Sequence, residues 1–388
     1  MKFIFANDLI INMDFGDFLS IASVALFVLF VVSMIIRLFF SLNYHLPLTL
    51  FKTKAPVTEQ HPVSVIICAR NELKNLKKNL RLILEQKYPE FQVIVVNDCS
   101  WDESEAYLKE LSSEYKHLKV ITLHEQERHK HGKKFAITIG IKGAQYDYLL
   151  FTDADCVPEG PNWIEEMAGQ FRNGKEIVIG YGAYAKEKGF TAFAQRLDTV
   201  MNAITYLSFA IRNQAYMGVG RNLSYRKELF FRSKGFATHY HLLSGDDDLF
   251  VNESANPKNV AVNLNKSAFT YSSTKDNFRD WLNQKRRHIT TGHRYKLSHR
   301  LLLILLPLSI FFSYTCFILL LILKLFPIVT VTVFGIHFFL HMILTANNMK
   351  KLGAKDLIWI FPLYELFAPI FYTGLAGLNL ISKTKNWK

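Results

Sequence analysis

The stretch Tyr148-Leu149-Leu150-Phe151-Thr152-Asp153-Ala154-Asp155 runs from an apolar segment straight into two carboxylates. A short apolar run of this kind reads as a strand buried inside a sheet, and the acidic pair then stands on the turn that leaves it. The same form recurs upstream. Val63–Cys68, after Pro62, ends in Ala69-Arg70-Asn71-Glu72, and Gln92–Val96 ends in Asn97-Asp98-Cys99-Ser100. Lys119–Leu123 reads as another strand. Leu73–Gln86, Trp101–Tyr115 and Lys134–Lys142 carry helical patterns between the strands. Alternating strands and helices predict an α/β fold, a mainly parallel sheet with helices on both faces. In such sheets ligands bind beyond the carboxyl ends of the strands. Ala69, Arg70, Glu72, Asp98, Asp153 and Asp155 are therefore expected along one edge.

That edge is acidic. The sequence has neither G-x-G-x-x-G nor G-x-x-x-x-G-K-[ST], so no glycine-rich cradle offsets a phosphate. Asp153 and Asp155 predict a different device. Two carboxylates two residues apart suit one hard cation, Mg²⁺ or Mn²⁺, which keeps sites open for substrate oxygens. An isolated Asp-x-Asp is usually a solvated turn; beside other acidic strand ends it reads as a ligand pair. Further along, Asp246, Asp247 and Asp248 stand in a row. Their mutual repulsion raises the pKa of at least one, which suits a general base. Asp247 is the first choice and Asp246 the second.

The chain has 388 residues, 50% hydrophobic and 20% charged, with mean hydropathy +0.10. Lys+Arg 46 against Asp+Glu 33 leaves a net charge of +13. This is too apolar for a disordered chain and too charged for a purely membrane-embedded one. Phe18–Ile36 holds no charge and is long enough to span a bilayer. The acidic residues Asp8, Asp14 and Asp17 before it are unlike the basic start of a cleaved signal. Leu301–Leu323 and Ile328–Ala346 are further runs. Leu357–Ile381, broken by Pro362, Glu365 and Pro369, either spans or lies in the interface.

Basic flanks set the orientation. Arg37, Lys52 and Lys54 follow the first run, and a cluster from Lys275 to Arg300 precedes the second, which predicts a cytoplasmic middle. Lys350, Lys351 and Lys355 agree. Lys383, Lys385 and Lys388 disagree if all four runs span. The expected layout is a non-cytoplasmic segment at 1–17 and a membrane helix at 18–40. A cytoplasmic region at 41–300 follows, with an interface helix near 276–292. Two or three membrane or re-entrant helices at 301–382 lead to a basic tail at 383–388. The expected setting is a bacterial inner membrane. Cys68, Cys99, Cys156 and Cys316 form no disulfide or zinc spacing. His129 and His131 read as part of a basic loop, His337 and His341 as one face of a membrane helix, and Phe190–Arg212 as a packed helix.

Ordered motifs give a resemblance. Val63–Glu72, Asn97-Asp98-Cys99-Ser100-Trp101-Asp102, Gly132-Lys133-Lys134-Phe135-Ala136 and Asp153-Ala154-Asp155 come first. Gly220-Arg221-Asn222-Leu223-Ser224-Tyr225-Arg226, Gly245-Asp246-Asp247 and Gln284-Lys285-Arg286-Arg287-His288 follow. Together, over about 61–292, they resemble membrane-bound family 2 glycosyltransferases of the GT-A fold, a group that includes chitin-oligosaccharide, hyaluronan and cellulose synthases and ceramide glucosyltransferases. The resemblance implies a UDP-sugar donor, with Ala69, Arg70, Glu72, Asp98, Lys133 and Asp153 on the donor side. Asp155 with Asp153 would hold the metal, and Asp247 would be the base. It puts Asn222, Gln284, Arg286, Arg287 and His288 on the acceptor or diphosphate side.

The sequence departs from the family at His288, where the pattern has Trp. An imidazole offers less stacking area for an acceptor sugar. With the small membrane portion, this favours a single transfer to a membrane lipid or lipid-linked acceptor. Synthesis of a polysaccharide or oligosaccharide is the alternative within the class. A non-catalytic membrane sensor of nucleotide-sugars is the rival outside it, and would not need Asp247. Nucleic acid is set aside, because the basic residues gather at membrane junctions. No feature selects an oligomeric state.

Overall fold

Alternate side chains of the first strand enter different cores. The computed structural model describes residues 15–56, 60–124, 132–242 and 244–381. Within it β1 (Val63–Ala69) sends Val63, Val65 and Ile67 to one face and Ile66 to the other. Period-two alternation requires this, and both faces are covered. On the first face, α3 (Leu73–Leu84), α4 (Ser104–Glu114) and α6 (Trp163–Ala168) contribute Leu76, Leu80, Leu108, Trp163 and Ile164. On the second, α5 (Lys133–Gly143) and α7 (Phe190–Ile211) contribute Ala136, Ile141, Val200 and Leu207.

Beside β1 lie β2 (Phe91–Asp98), β3 (Leu118–Leu123) and β4 (Tyr148–Asp153). β6 (Ile177–Ile179), β8 (Leu223–Arg226) and β9 (Val260–Val262) complete a seven-stranded sheet of order β3-β2-β1-β4-β8-β6-β9. The expected strands and helices among residues 63–153 are present, with ends shifted by a few residues. The sheet is mixed rather than uniformly parallel, since β8 runs antiparallel to both β4 and β6. The chain enters β8 from the segment after α7, on the edge where β4 ends, so it must travel back along β4. A small second sheet joins β5 (Cys156–Pro158), β10 (Thr270–Ser272) and β7 (Gly182–Tyr184).

The second core does not stop at the sheet. It continues into Phe40, Tyr44, Leu48, Met349, Leu352 and Phe361. These belong to the membrane portion: α1 (Phe15–Phe40), its π-helical extension Ser41–His45, α2 (Leu46–Leu50), α11 (Leu297–Ile322), α12 (Pro327–Lys351) and α13 (Phe361–Ile381). Among the described residues, four helices are long and apolar enough to cross a membrane. Their outer faces expose Val24, Val28, Ile304, Phe311, Ile336 and Phe339, as lipid-facing helices do. The segments 1–14, 382–388 and 125–131, the last holding His129 and His131, lie outside the described residues.

Candidate active site

Register builds the site. Ala69 of β1 pairs with Asn97 of β2, and Cys68 pairs with Asp153 of β4. The three strands thus end level and deliver Ala69, Asp98 and Asp153 side by side. The turns after β1 and β2 are stitched together. Ser100 Oγ accepts from the Asn71 N–H at 2.9 Å, Asn71 Oδ1 from the Trp101 N–H at 2.9 Å, and Asp102 from the Leu73 N–H at 3.2 Å. Both turns use left-handed backbone, at Asn71 (φ 55) and Cys99 (φ 54). Glu72 stands just before α3 and accepts from Asn75 Nδ2 at 2.5 Å. Asp98 is fully buried at the end of β2.

Because β8 is antiparallel, it presents its beginning to this edge. Thr152 Oγ1 donates to the Arg221 carbonyl at 3.0 Å, and the Gly220 N–H donates to Asp247 Oδ2 at 2.8 Å. Asp247 caps α9 (Asp248–Ser254), and its other oxygen accepts from the Asp248 N–H at 2.8 Å. Two backbone donors therefore fix the carboxylate. Burial first, then Asp246 and Asp248, pushes the Asp247 carboxyl up to about 7. Asp248 is held apart by hydrogen bonds from Thr291 Oγ1 and, at 2.7 Å, from Tyr295 Oη.

Lys133 joins the strand end to the acidic row. Its Nζ lies 2.9 Å from Asp153 Oδ1 and 3.3 Å from Asp246 Oδ2. Burial opposes its charge, but Asp153, Asp246 and Asp247 outweigh burial and hold the ammonium well above its usual pKa. Asp153 is correspondingly kept low by Lys133, against its own burial. Asp155 goes the other way, raised by burial and by Asp153, with Lys275 at 3.9 Å and Arg221 in partial compensation.

This crowded pair fits a divalent cation. Ligand atoms of Asp153, Asp155 and Cys156 lie within 4.8 Å of one another. Cys156 does not suit a hard ion. Its thiol is fully buried, pushed well up by burial and by Asp155, and set 3.0 Å from Ser272 Oγ. The two carboxylates are the hard-ligand set, and Ser272 Oγ orients Asp155 from 3.2 Å.

Helix α10 (Phe278–Ile289) closes one side. Burial lowers the Arg287 pKa, and the charges of Asp246, Asp247 and Asp153 act against that. Gln284 is half-buried and His288 is exposed on the same helix. Two expected acceptor-side residues point elsewhere. Asn222 is wholly enclosed: its Nδ2 donates to the Tyr181 and Ala268 carbonyls at 3.0 and 2.7 Å, and its Oδ1 accepts from Trp163 Nε1 at 3.0 Å. Every polar atom of that amide is spent on the core, as burial demands. Arg286 donates to Asn379 Oδ1 at 2.9 Å and to the Leu378 carbonyl, so it ties α10 to α13 instead of facing a diphosphate.

Three further residues serve the site. Arg221 stacks over the Tyr184 ring at 4.5 Å and faces Asp153 and Asp155. Lys275 follows β10, a strand too short to show a period in sequence. Lys134 is buried and donates to the carbonyls of His239, Leu242 and Ser244 at 2.6, 2.9 and 2.6 Å, anchoring the loop before Asp246. Its place beside Lys133 in the Gly132-Lys133-Lys134 segment was the available signal.

A mixed sheet with an acidic carboxyl edge, carboxylates close enough to share a cation and an aspartate of raised pKa beside them is the arrangement expected of a GT-A fold. The family description "Glycosyl transferase family 2" matches residues 64–233, and "Glycosyl transferase family group 2" matches residues 149–350. The chain belongs to the family 2 glycosyltransferases and is an enzyme of that class. It is 31% identical over 188 residues to the glycosyltransferase AglE of Haloferax volcanii, covering 48% of this chain and 58% of that protein. It is 33% identical over 95 residues to a poly-beta-1,6-N-acetyl-D-glucosamine synthase of Staphylococcus epidermidis, covering 24% and 22%. The chain thus spans less than two thirds of the length of these relatives. The fold is similar to that of the mannosyltransferase PcManGT of Pyrobaculum calidifontis, solved with GDP-Man and Mn²⁺. There the TM-score is 0.53 at 15% identity, over 87% of this chain and 98% of that one.

Proposed function

We propose that the protein is an inverting, metal-dependent glycosyltransferase that moves one sugar from a nucleotide-sugar to a hydroxyl of a membrane lipid or lipid-linked acceptor. The observation that carries the reading is Asp247, a half-buried carboxylate pushed up to about 7, fixed by two backbone N–H groups within the acidic cluster that Lys133 gathers. A base must accept the acceptor's proton as its oxygen attacks the anomeric carbon, and a pKa near the working pH serves best. Asp246 is the weaker candidate because Lys133 pairs with it.

Asp153 and Asp155 would hold Mg²⁺ or Mn²⁺, which would supply positive charge at the departing diphosphate. Arg287, Arg221 and Lys275 add positive charge around the same edge. Asp98, Ala69, Arg70 and Glu72 form the donor end. The family pattern supports uridine there, while PcManGT was solved with a guanosine sugar. The exposed His288 and the small membrane portion support a single transfer. The catalytic region is read as cytoplasmic from its basic flanks.

The test is a donor screen on the purified protein, monitoring free UDP or GDP with and without Mn²⁺, joined to labelled transfer in native membranes. Release of one nucleotide, label in a lipid extract, and retained donor binding but lost transfer in Asp247→Asn are expected. Label only in high-mass polymer would sink the lipid reading. Normal transfer by Asp247→Asn would remove it as base.

A further inference from the structure

We propose that α13 does not cross the membrane. It lies along the face that carries the catalytic domain, one side in lipid and the other on α7 and α10, so three of the four candidate helices among the described residues cross.

The helix divides cleanly. Leu363, Leu366, Phe367, Ile370, Leu378 and Ile381 are exposed, between 40% and 87%, and fall on one stripe at helical spacing. Tyr364, Glu365, Tyr372 and Asn379 occupy the opposite stripe, and each is engaged. Tyr364 Oη donates to Asp198 of α7 at 3.0 Å, and Tyr372 Oη donates to the same carboxylate. Lys285 of α10 pairs with that aspartate too. Phe371 stacks on Trp281 of α10 with centroids 5.8 Å apart. Near the end, Asn379 exchanges hydrogen bonds with Arg286, at 2.9 Å through its Oδ1 and 2.8 Å through its Nδ2.

These partners fix the path. Helix α10 carries Arg279, Asp280, Lys285, Arg286, Arg287 and His288 and helps to enclose the active site. It does not belong in hydrocarbon. Just before α13, Asp356 pairs with Arg196 of α7 at 3.0 Å and with Lys186 at 3.1 Å. A spanning helix would carry Asn379 roughly 20 Å deeper than Glu365, at about 1.5 Å per residue. Instead both ends of α13 meet the catalytic domain. Toward the bundle, Glu365 meets Arg37 of α1 at 2.5 Å, Tyr314 Oη of α11 at 3.0 Å and His341 of α12 at 3.2 Å, and Phe361 packs on the His341 ring; these contacts hold only the first turn or so of α13. The segment Lys355–Asn379 is also the least apolar of the four candidate spans.

The exposed stripe then needs lipid, and its neighbours fit an interface. Trp359, Phe190 and Phe278 are exposed around the same pair of helices, as aromatic side chains are at the headgroup level. With three crossings the carboxyl end of α13 lies on the catalytic side. Lys383, Lys385 and Lys388 then obey the same charge rule as Lys350 and Lys351.

The experiment is labelling with a membrane-impermeant maleimide in sealed vesicles. Cysteines are introduced singly at Lys383, at Glu110 of α4 as the catalytic-side reference, and at Lys324 in the α11–α12 turn as the opposite reference. The background replaces Cys68 and Cys99 by Ser. Lys383→Cys is expected to label in the same vesicle orientation as Glu110→Cys and to be protected when Lys324→Cys reacts. Labelling with Lys324→Cys, or equally from both sides, overturns the proposal. Carboxy-terminal fusions of the unaltered chain give a second reading. A fluorescent protein that folds only in the cytoplasm and an alkaline phosphatase active only outside it are compared with the same reporters placed after Lys324. Opposite outcomes at the two positions are expected, and matching outcomes overturn it. Neither measurement depends on donor, acceptor or transfer.

Discussion

Burial beside Asp246 and Asp248 pushes Asp247 up to about 7, and this sets a pH profile. A base must be ionised, so kcat/KM should rise through about pH 7 and level above it. Asp247→Asn should lower transfer by about 10²–10⁴-fold and abolish that limb, read in a pH series of sugar transfer. The linkage sign is opposite for stability. The folded carboxyl keeps a proton that the unfolded one releases near 3.8, so its stabilising contribution is lost as pH rises toward about 7. Lys134 acts one step removed, through the carbonyls of His239, Leu242 and Ser244. Lys134→Met should lower kcat while leaving donor affinity within about twofold, since it moves the base loop and not the strand ends. A stability loss of about 1–3 kcal/mol from the orphaned carbonyls should accompany it in a thermal melt. The acidic strand ends and the Asp246–Asp248 row were legible because they are written in consecutive residues. Lys134 and Arg221 were not assigned roles, because their partners are distant in sequence.

Among elements, β8 and α10 decide most. The antiparallel run of β8 brings Gly220 to Asp247 and buries Asn222 behind the site. A motif asparagine in such a place reads as a ligand in sequence, yet its three hydrogen bonds pin Trp163, Tyr181 and Ala268. Asn222→Leu should destabilise the fold by about 2–4 kcal/mol, leaving two carbonyls and an indole N–H unpaired, measured as a denaturation midpoint shift in detergent. If Asn222 instead served the acceptor, KM for acceptor would change with stability intact. In α10, helical spacing separates Arg286 from Arg287 by about 100°. One therefore binds Asn379 while its neighbour feels the charges of Asp246 and Asp247. Arg287→Ala should lower transfer more than Arg286→Ala does, in the same labelled-donor assay.

Across the whole molecule, one core runs from the sheet into the membrane helices, through Phe40, Tyr44 and Leu48 of the first segment and Leu352 and Phe361 near the last. The polar counterpart is Arg37, bonded to Ser313 at 2.9 Å and to Glu365 at 2.5 Å, with His341 at 3.2 Å from the same glutamate. Removing one partner strands a buried charge. Glu365→Gln should cost about 3–5 kcal/mol of stability, seen as earlier thermal aggregation of the extracted protein, whereas isolated catalytic chemistry would predict no change. The sequence by itself determined the strand and helix succession of residues 63–153, the acidic edge, the paired carboxylates and the apolar runs. Those features rest on local period and composition, which a linear string carries in full. Only the tertiary structure decided the reversal of β8, the burial of Asn222, the separation of Arg286 from Arg287 and the partners of α13. Each depends on which distant segment lies alongside, and side-chain hydrogen bonds across hundreds of residues leave no periodic trace in sequence.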